Sequence, residues 1–400
     1  MINDTVFSDL LEKSERRKAE VAGLKAKRSL FAELSKPRNL HVGLHGLRGT
    51  GKTTLLLQIA REREGSVYVN AEELAVRGIS LLDFSAHAVN KGFGDVFIDE
   101  IHFLHSWPLE LKIMFDRGIR NVFFSGSSGL AIQEHAADLS RRALLFRLPP
   151  LSFREFLEMN TGSLMEPLLL EDIIDFEKRR RMITSLLPNG HRFSDYMRFG
   201  CFPFWPEHKE DVHAIYMRML ERIVRIDLAS LARIDAAYIE TVYKLLNTIA
   251  LSPPDGVSCN FLANQVKRNV PAVEAMILNL TALGLISAVR PFTGGASMVR
   301  KEYKYLLAPP FRFVIAKSLG WSFEQVIGGV REDLFVSNTY ALAPLYIKTQ
   351  RERKTPDYRL GNLNFELGPH KYKHETDFYV KDELIIDEKV IPLPIFCMLY

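Results

Sequence analysis

Eight residues near the start of the chain have the types and spacing needed to bind a phosphate chain. The run Gly46–Thr53 reads Gly-Leu-Arg-Gly-Thr-Gly-Lys-Thr and matches the pattern G-x-x-x-x-G-K-[ST] at every fixed position. Such a loop surrounds phosphate oxygens with backbone N–H groups and directs a helix N-terminus at them. Lys52 would reach the β- and γ-phosphates, and the Thr53 hydroxyl would ligate Mg²⁺. The predicted nucleotide-binding residues are Gly46, Leu47, Arg48, Gly49, Thr50, Gly51, Lys52, Thr53 and Thr54.

The residues on both sides of this loop have the patterns that a phosphate loop requires. Leu40, Val42 and Leu44 alternate with polar or small residues, as in a strand, and a helical stretch begins at Thr53. The alternative is a glycine-rich strand-to-helix turn that binds no ligand. Correct flanks on both sides favour the phosphate loop.

A second short run supplies acidic residues for hydrolysis. Residues 95–100 read Asp-Val-Phe-Ile-Asp-Glu, an apolar strand ending in two acids. Asp99 would support Mg²⁺ opposite Thr53, and Glu100 would polarise the attacking water. Many strands end in acids, so the run is weak evidence alone, but its position behind a phosphate loop indicates a nucleoside triphosphate hydrolase. The two motifs do not distinguish ATP from GTP.

Composition narrows the class of protein. The chain has 400 residues, 47% of them hydrophobic, which predicts two or three domains. Its net charge of +4 arises from 52 basic and 48 acidic side chains, so the overall field does not argue for nucleic acid. Cys201, Cys259 and Cys397 lie far apart without metal-ligand spacing. With no signal-peptide pattern and no apolar run of about 18 residues, we expect a reduced, cytoplasmic protein without a membrane span.

The order of elements predicts an α/β fold. A helix is expected over residues 4–36, and further strands over 67–70, 95–99, 121–125 and 144–148 alternate with helical stretches. Alternation of this kind predicts a parallel sheet covered by helices, with the phosphate site at the carboxyl ends of the strands.

The middle of the chain is predominantly helical in pattern. The basic run 178–181 could touch nucleic acid, but the solvated face of a helix is the favoured interpretation. Helices at 238–251, 261–266 and 271–283, followed by strands at 285–290 and 303–307, resemble a winged helix. Lys267, Arg268, Arg290, Arg300 and Lys301 give this region positive charge. A DNA partner and a protein partner are equally compatible with that pattern.

Acidic residues in the last part of the chain have a spacing that resembles a nuclease site. Residues 375–380 and 383–390 read as two strands of a hairpin. Asp377 and Asp387 could chelate Mg²⁺, Lys389 could steady a hydroxide or phosphate oxygen, and Glu332 could add a third carboxylate. The alternative is a set of ordinary surface acids, and Pro356-Asp357 offers a competing register.

Several further segments of the chain resemble one family of prokaryotic AAA-type ATPases. The segments that carry this likeness, besides the two motifs above, are Ile101–His102, Trp107–Lys112, Phe115–Arg117, Ser125–Ser128, Leu139–Ala143, Leu148–Leu157 and Tyr196–Pro203. Members of that family join an ATPase domain to a winged helix and to a C-terminal domain of unknown function that resembles restriction endonucleases. Cys201 stands where the family usually has Gly.

The resemblance implies properties that the motifs do not. It implies ATP as the nucleotide and a P-loop NTPase sheet of the additional-strand, catalytic-glutamate type, with the phosphate-loop strand central. It also implies that Ser125 is a polar sensor and that Arg142 senses the γ-phosphate, in cis or across a subunit interface. The family usually has Gly-Arg where this chain has Arg141-Arg142, so either arginine could take that role.

For the C-terminal module, the resemblance implies a nuclease-like fold that has lost part of its site. The family pattern Glu-x-Asp-Phe and Ile-Glu-x-Lys maps onto 375–378 and 386–389, with Asp387 replacing Glu. Because of this change, and because the sequence stops at Tyr400, we expect little or no nuclease activity. The basic residues Lys348, Arg351, Arg353 and Lys354 would then offer a surface for phosphate or acidic partners.

These expectations give five predicted segments and three candidate functions. The segments are an N-terminal helical segment (1–38), an AAA-type core (39–160), a helical lid or linker (161–237), a winged-helix-like domain (238–315) and a small α+β module (316–400). The chain could be an ATP-driven switch or remodeller acting on DNA or protein, an ATP-regulated nuclease, or a nucleotide-binding scaffold with little turnover. Retention of Glu100 favours turnover.

Overall fold

The computed structural model describes residues 2–126, 139, 141–205, 210–292, 303–347, 355–368 and 376–399. Contacts divide the chain into two compact units, residues 1–149 and 150–400. Among the helices in these ranges, none combines the length and the apolar character needed to cross a membrane.

Unit 1 is built on parallel strands. Its described strands are β1 (His41–His45), β2 (Ser66–Asn70), β3 (Asp95–Asp99), β4 (Val122–Gly126) and β5 (Ala143–Arg147). Its described helices are α1 (Asp4–Glu20), α2 (Phe31–Leu34), α3 (Lys52–Glu62), α4 (Ala71–Val76), α5 (Leu81–Asn90) and α6 (Trp107–Asp116). These strands form one sheet in the order β2-β3-β4-β1-β5, with every neighbouring pair parallel.

Alternation along the strands gives this sheet two apolar faces. Val67, Val96 and Ile98 pack into a core cluster with α1, α5 and α6, whereas Tyr68 and Phe97 face a second cluster that includes α3. The predicted α/β class and parallel sheet are confirmed, and β1, which leads into the phosphate loop, is an interior strand between β4 and β5. The predicted helix over 4–36 is too long, because α1 ends at Glu20 and only Phe31–Leu34 is helical after it.

Unit 2 begins with helices and ends with a mixed sheet. Its longer helices are α7 (Phe153–Thr161), α8 (Leu170–Ile174), α9 (Phe176–Leu186), α10 (Val212–Arg222), α11 (Ala236–Leu251), α12 (Cys259–Val266), α13 (Val270–Ala282), α14 (Phe311–Ser318), α15 (Phe323–Thr339) and α16 (Leu393–Phe396). Its strands are β6 (Ile286–Pro291), β7 (Lys304–Leu307), β8 (Leu345–Tyr346), β9 (Tyr358–Leu360), β10 (Leu363–Leu367), β11 (Phe378–Lys381) and β12 (Val390–Pro392). The described strands of this sheet are ordered β12-β11-β10-β9-β8-β6-β7.

The segment predicted to resemble a winged helix contains the predicted elements. Helices α11, α12 and α13 precede β6 and β7, which pair in an antiparallel manner. Strand β6 also pairs with β8 in a parallel manner, so the hairpin belongs to the same sheet as the C-terminal strands. The winged-helix interpretation itself stays a prediction.

One prediction of local structure in unit 2 is wrong, and another holds only in part. Strands β11 and β12 are parallel neighbours rather than a hairpin, with Tyr379 in register with Val390. Within the basic run 178–181, Arg179 is fully buried and donates hydrogen bonds to the carbonyl groups of Ile173, Ile174, Asp387 and Glu388. Only the other three members of that run lie on the solvated helix face.

Candidate functional site

The loop between β1 and α3 has the backbone shape that its glycines allow. Gly51, the residue before α3, has φ 92°, a left-handed conformation that side chains disfavour. A Cβ atom added at Gly46 would lie 2.3 Å from the carbonyl oxygen of Leu148, so no larger residue fits there. The predicted phosphate loop therefore stands at the carboxyl end of β1, at the start of a helix of 11 residues.

Two buried basic side chains donate hydrogen bonds to backbone carbonyls in and beside this loop. The Lys52 ammonium donates to the carbonyls of Gly46 at 2.9 Å and Leu47 at 3.3 Å, and Lys52 is buried. The buried Arg28 donates to the Thr50 carbonyl and, at 2.7 Å, to the Pro149 carbonyl. Sequence reasoning missed Arg28, because it lies outside the motif in a segment that was predicted to be helical.

Asp99, at the end of β3, receives three hydroxyl groups. Thr53 donates to Oδ2 at 2.7 Å, Tyr68 donates to the same oxygen at 2.9 Å, and Ser125 donates to Oδ1. Asp99 is only 2% exposed, so these donors replace the water that a charged carboxylate would otherwise bind. The structure thus brings together the predicted Thr53, Asp99 and Ser125, and adds Tyr68, which no motif indicated.

The donor set at Asp99 is suited to a hard divalent cation. Carboxylate and hydroxyl oxygens are the ligands that Mg²⁺ takes in proteins, usually with several waters retained. Thr53 and Asp99 present such oxygens side by side at the mouth of the phosphate loop. The residues present therefore fit the metal that the motif implies.

Glu100 directly follows strand β3, which ends at Asp99. Its φ and ψ of 52° and 48° are left-handed, which costs a non-glycine residue about 1–2 kcal/mol. Its backbone N–H donates to Ser125 Oγ at 3.1 Å, so Ser125 bridges the two acids. One Glu100 carboxylate oxygen lies 3.4 Å from His102 Nδ1, and both side chains are 19% exposed. The Glu100 carboxylate thus has an imidazole as its neighbour, and its backbone is fixed by Ser125 next to Asp99.

The phosphate loop lies in a positive environment. His45 at the end of β1 is in register with Arg147 at the end of β5. Burial, and then the charges of Arg147 and Lys52, lower the pKa of His45 to about 4, so its imidazole is neutral at pH 7. Sequence reasoning missed Arg147; its signal was a basic residue at the end of a strand that pairs with β1.

Arg142 lies at the opposite end of the sheet from the phosphate loop. It immediately precedes β5, and its carbonyl accepts from the N–H of His41 at the start of β1. Five strand residues at about 3.3 Å each separate that edge from Arg147. Its guanidinium pairs with Asp116 at 3.1 Å. A γ-phosphate contact by Arg142, or by Arg141 before it, within the same subunit does not fit this placement; a contact across a subunit interface stays a prediction.

The four residues predicted to form a second metal site do not meet. Asp377 accepts from the backbone N–H of Asn364, and Asp387 accepts from the N–H of Lys389, each at 2.7 Å. Glu332, on α15, pairs instead with Lys304 and accepts from the Tyr358 hydroxyl. Within the described ranges, no group of three or more His, Cys, Asp or Glu residues is arranged to hold a metal ion. Some residues named in the sequence analysis lie outside the described residues. They are the basic residues Arg300, Lys301, Lys348, Arg351, Arg353 and Lys354, and the acidic residue Glu375.

Glu332 lines a different feature, a cavity of about 540 Å³ in unit 2. Asp357, from the competing register noted in the sequence, and Glu366 also line it. Burial, and then the charges of Glu366 and Glu332, raise the pKa of Asp357 to about 8. Burial alone would lower the pKa of Lys304, but the carboxylates of Glu332 and Asp255 raise it.

Comparison with known proteins agrees with the features of unit 1. Residues 38–157 match the family model described as an AAA domain. An uncharacterized protein of Methanocaldococcus jannaschii is 29% identical over 347 residues, which cover 81% of this chain and 72% of that protein. A second uncharacterized protein of the same organism is 32% identical over 169 residues, 40% of this chain and 35% of the relative.

Solved structures give only a distant likeness. The replication initiator DnaA, in a structure with AMPPCP and single-stranded DNA, has 15% sequence identity and a TM-score of 0.26, with 70% of this chain and 93% of that chain covered. Because this TM-score is so low, the fold is assigned from the parallel sheet and the family match instead. The parallel sheet, the phosphate loop and the two acids after β3 thus lie within the part of the chain that is similar to AAA domains.

Proposed function

We propose that this chain is a Mg²⁺-dependent ATP hydrolase that acts as a nucleotide-driven switch or remodeller on a partner. The observation that carries the proposal is the contact of Thr53 with Asp99 at 2.7 Å, beside Glu100 and at the mouth of the phosphate loop. Phosphoryl transfer depends mainly on positioning and charge neutralisation, and these residues can supply both.

Each residue would have a separate task. Lys52 and the N–H groups of residues 46–53 would hold the phosphates, and Thr53 with Asp99 would hold Mg²⁺. The metal, when bound, supplies positive charge that offsets charge on the phosphate oxygens. Glu100 would orient the attacking water, and Ser125, which contacts both acids, would keep them in register. The low exposure of these side chains favours strong electrostatic interactions.

The experiment compares four variants of the whole chain. Lys52→Ala should abolish ATP binding, because it removes the loop's cation. Glu100→Gln should retain binding and lose turnover by about a hundredfold or more, because glutamine cannot polarise water as a carboxylate does. Lys36→Ala and Glu20→Gln are matched controls at exposed positions and should behave like the parent. Parent-like turnover in Glu100→Gln would remove its proposed role.

For the partner, a feature of α13 favours protein over DNA. In a winged helix the second helix of the helix–turn–helix pair is the one that enters the major groove. None of the 13 residues of α13 is Lys or Arg, and its exposed positions include Glu274, Ala275 and Leu278. We therefore propose a protein partner. Fluorescence anisotropy with duplex DNA at about 0.15 M salt should show no binding beyond weak non-specific association.

A further inference from the structure

Among the described residues that donate to Asp99, Tyr68 is the one that neither a motif nor the family resemblance indicated. It lies in the middle of β2, and its hydroxyl donates to Asp99 Oδ2 at 2.9 Å. The same oxygen accepts from Thr53, whereas Ser125 donates to the other carboxylate oxygen. Tyr68 and Ser125 therefore fix the carboxylate from two sides and leave Oδ2 facing Thr53.

Helix α1 holds Tyr68 in this position. The Ser14 hydroxyl, buried in the middle of α1, accepts from the backbone N–H of Tyr68 at 2.9 Å. The Lys18 ammonium donates to the carbonyl of Ser66 at 3.1 Å. These contacts satisfy backbone hydrogen-bonding groups of β2, which is the edge strand among the described strands of this sheet. They thereby hold β2 in position beside β3.

The Tyr68 hydroxyl acts as a donor toward Asp99 in a contact that is shielded from solvent. Tyr68 is 4% exposed and Asp99 is 2% exposed. An ionised carboxylate can only accept hydrogen bonds, so the phenolic O–H supplies the proton of this contact. A hydrogen bond to a charged group in a buried site is among the stronger contacts in proteins.

We propose that Tyr68 is a positioning residue for the metal site: it orients Asp99 so that the carboxylate and Thr53 together bind the Mg²⁺ of a Mg²⁺–nucleotide complex. The inference rests on the proposed ATP hydrolysis at the same site. A purely structural Tyr68 would fill space between β2 and α3 with its ring, and phenylalanine would serve that purpose equally well.

The test is Tyr68→Phe, made in the Glu100→Gln variant so that nucleotide stays intact. Binding of a fluorescent ATP analogue is measured as a function of Mg²⁺ concentration, and again in EDTA. The Mg²⁺ concentration for half-maximal binding should rise about three- to tenfold, the range expected for one charge-assisted hydrogen bond. Binding in EDTA should not change. In the Glu100-containing protein, kcat should fall with little change in KM measured at saturating Mg²⁺.

Tyr216→Phe is the matched control, because its buried hydroxyl donates to a backbone carbonyl, that of Phe199, in unit 2. It should leave the Mg²⁺ titration unchanged. Ser14→Ala, which loosens β2 without altering the phenol, should shift the titration in the same direction by a smaller factor and serves if Tyr68→Phe does not fold.

The inference would be overturned if the Mg²⁺ concentration for half-maximal binding were unchanged or lower in Tyr68→Phe. If Ser14→Ala has to be used instead, an unchanged concentration in that variant would overturn it. Neither result would affect the proposed hydrolysis. Failure of the Glu100→Gln parent to bind the ATP analogue at any Mg²⁺ concentration would instead overturn the proposed function, and the inference with it.

Discussion

Two carboxylates, the buried Asp99 of unit 1 and the half-buried Asp357 of unit 2, have opposite surroundings. Asp99 receives three hydroxyl donors, an arrangement that compensates a buried negative charge. Asp357 accepts one backbone N–H, from Leu367 at 2.7 Å, and has Glu366 and Glu332 nearby. The first arrangement suits a charged, metal-binding carboxylate, and the second suits a carboxyl group that keeps its proton.

We predict that Asp357→Asn stabilises unit 2 at high pH. The folded-state pKa of about 8 lies above the ordinary value of 3.8, so between these values the folded chain holds a proton that the unfolded chain has released. Stability is therefore lost as the pH rises through this interval. Asparagine stays neutral and can still accept from Leu367, so the melting temperature of the variant should exceed that of the parent increasingly toward pH 9, by about 2–4 °C for each kcal/mol.

Thermal unfolding between about pH 5 and pH 9 measures this difference. Asp377→Asn is the matched control, since Asp377 is exposed and also accepts one backbone N–H. A pH-independent difference between parent and Asp357→Asn, parallel to that of the control, would show that Asp357 is charged in the folded protein at neutral pH.

At the scale of elements, four of the five described strands of unit 1 could be predicted to within one residue at either end. Strands at 66–70, 95–99, 122–126 and 143–147 match runs recognised as apolar and bounded by polar or glycine residues. Their parallel pairing followed from the helices between them, since a crossover connection requires it. The ends of β1 and β3 then belong at one edge of the sheet, so the sequence alone is enough to group Lys52, Thr53 and Asp99.

The elements at the end of the chain could not be predicted in the same way. Residues 375–390 have a local turn signal at Lys381-Asp382, which favours a hairpin, but β11 and β12 pair in parallel. Pairing direction between short strands depends on distant parts of the chain, here β10, which also runs parallel to β11. The predicted metal site depended on this hairpin, so the carboxylates are not brought together. Asp377 and Asp387 instead accept hydrogen bonds from nearby backbone N–H groups.

Supporting contacts made by residues outside the motifs could not be predicted from sequence patterns either. Arg28 and Tyr68 contact the site from positions that no spacing rule connects with the phosphate loop. Helix α1 positions β2, and the segment after it carries Arg28 to the loop. A motif describes the ligand-facing residues of a site, whereas the residues that support them come from whatever elements the fold packs alongside.

At the scale of the whole molecule, Arg142 raises the question of assembly. Since it lies at the amino end of β5, far from its own phosphate loop, its predicted action on the γ-phosphate requires the loop of another subunit. We expect turnover per subunit to rise with protein concentration. The Arg142→Ala variant should not show this rise, so its turnover at saturating protein concentration should be lower than that of the parent by up to about a thousandfold. At high dilution, parent and variant should have the same low activity.

Arg141→Ala is the neighbouring control and decides which arginine acts. Turnover measured over a range of protein concentrations, together with mass measurement by light scattering, separates loss of assembly from loss of catalysis. Parent-like turnover in both arginine variants at every concentration would remove the predicted role.

The last prediction concerns cleavage of DNA by the full chain. Metal-dependent cleavage needs carboxylates held within a fraction of an ångström by packed supporting residues. The carboxylates of Asp377 and Asp387 accept backbone N–H groups close by, and Glu332 is engaged by Lys304 and Tyr358. We therefore expect no cleavage of plasmid or single-stranded DNA with Mg²⁺ or Mn²⁺, and ATP turnover in Asp377→Ala equal to that of the parent. Cleavage abolished by Asp377→Ala would restore the predicted site, whereas cleavage abolished by Asp357→Ala alone would move it to the cavity that Glu332, Asp357 and Glu366 line.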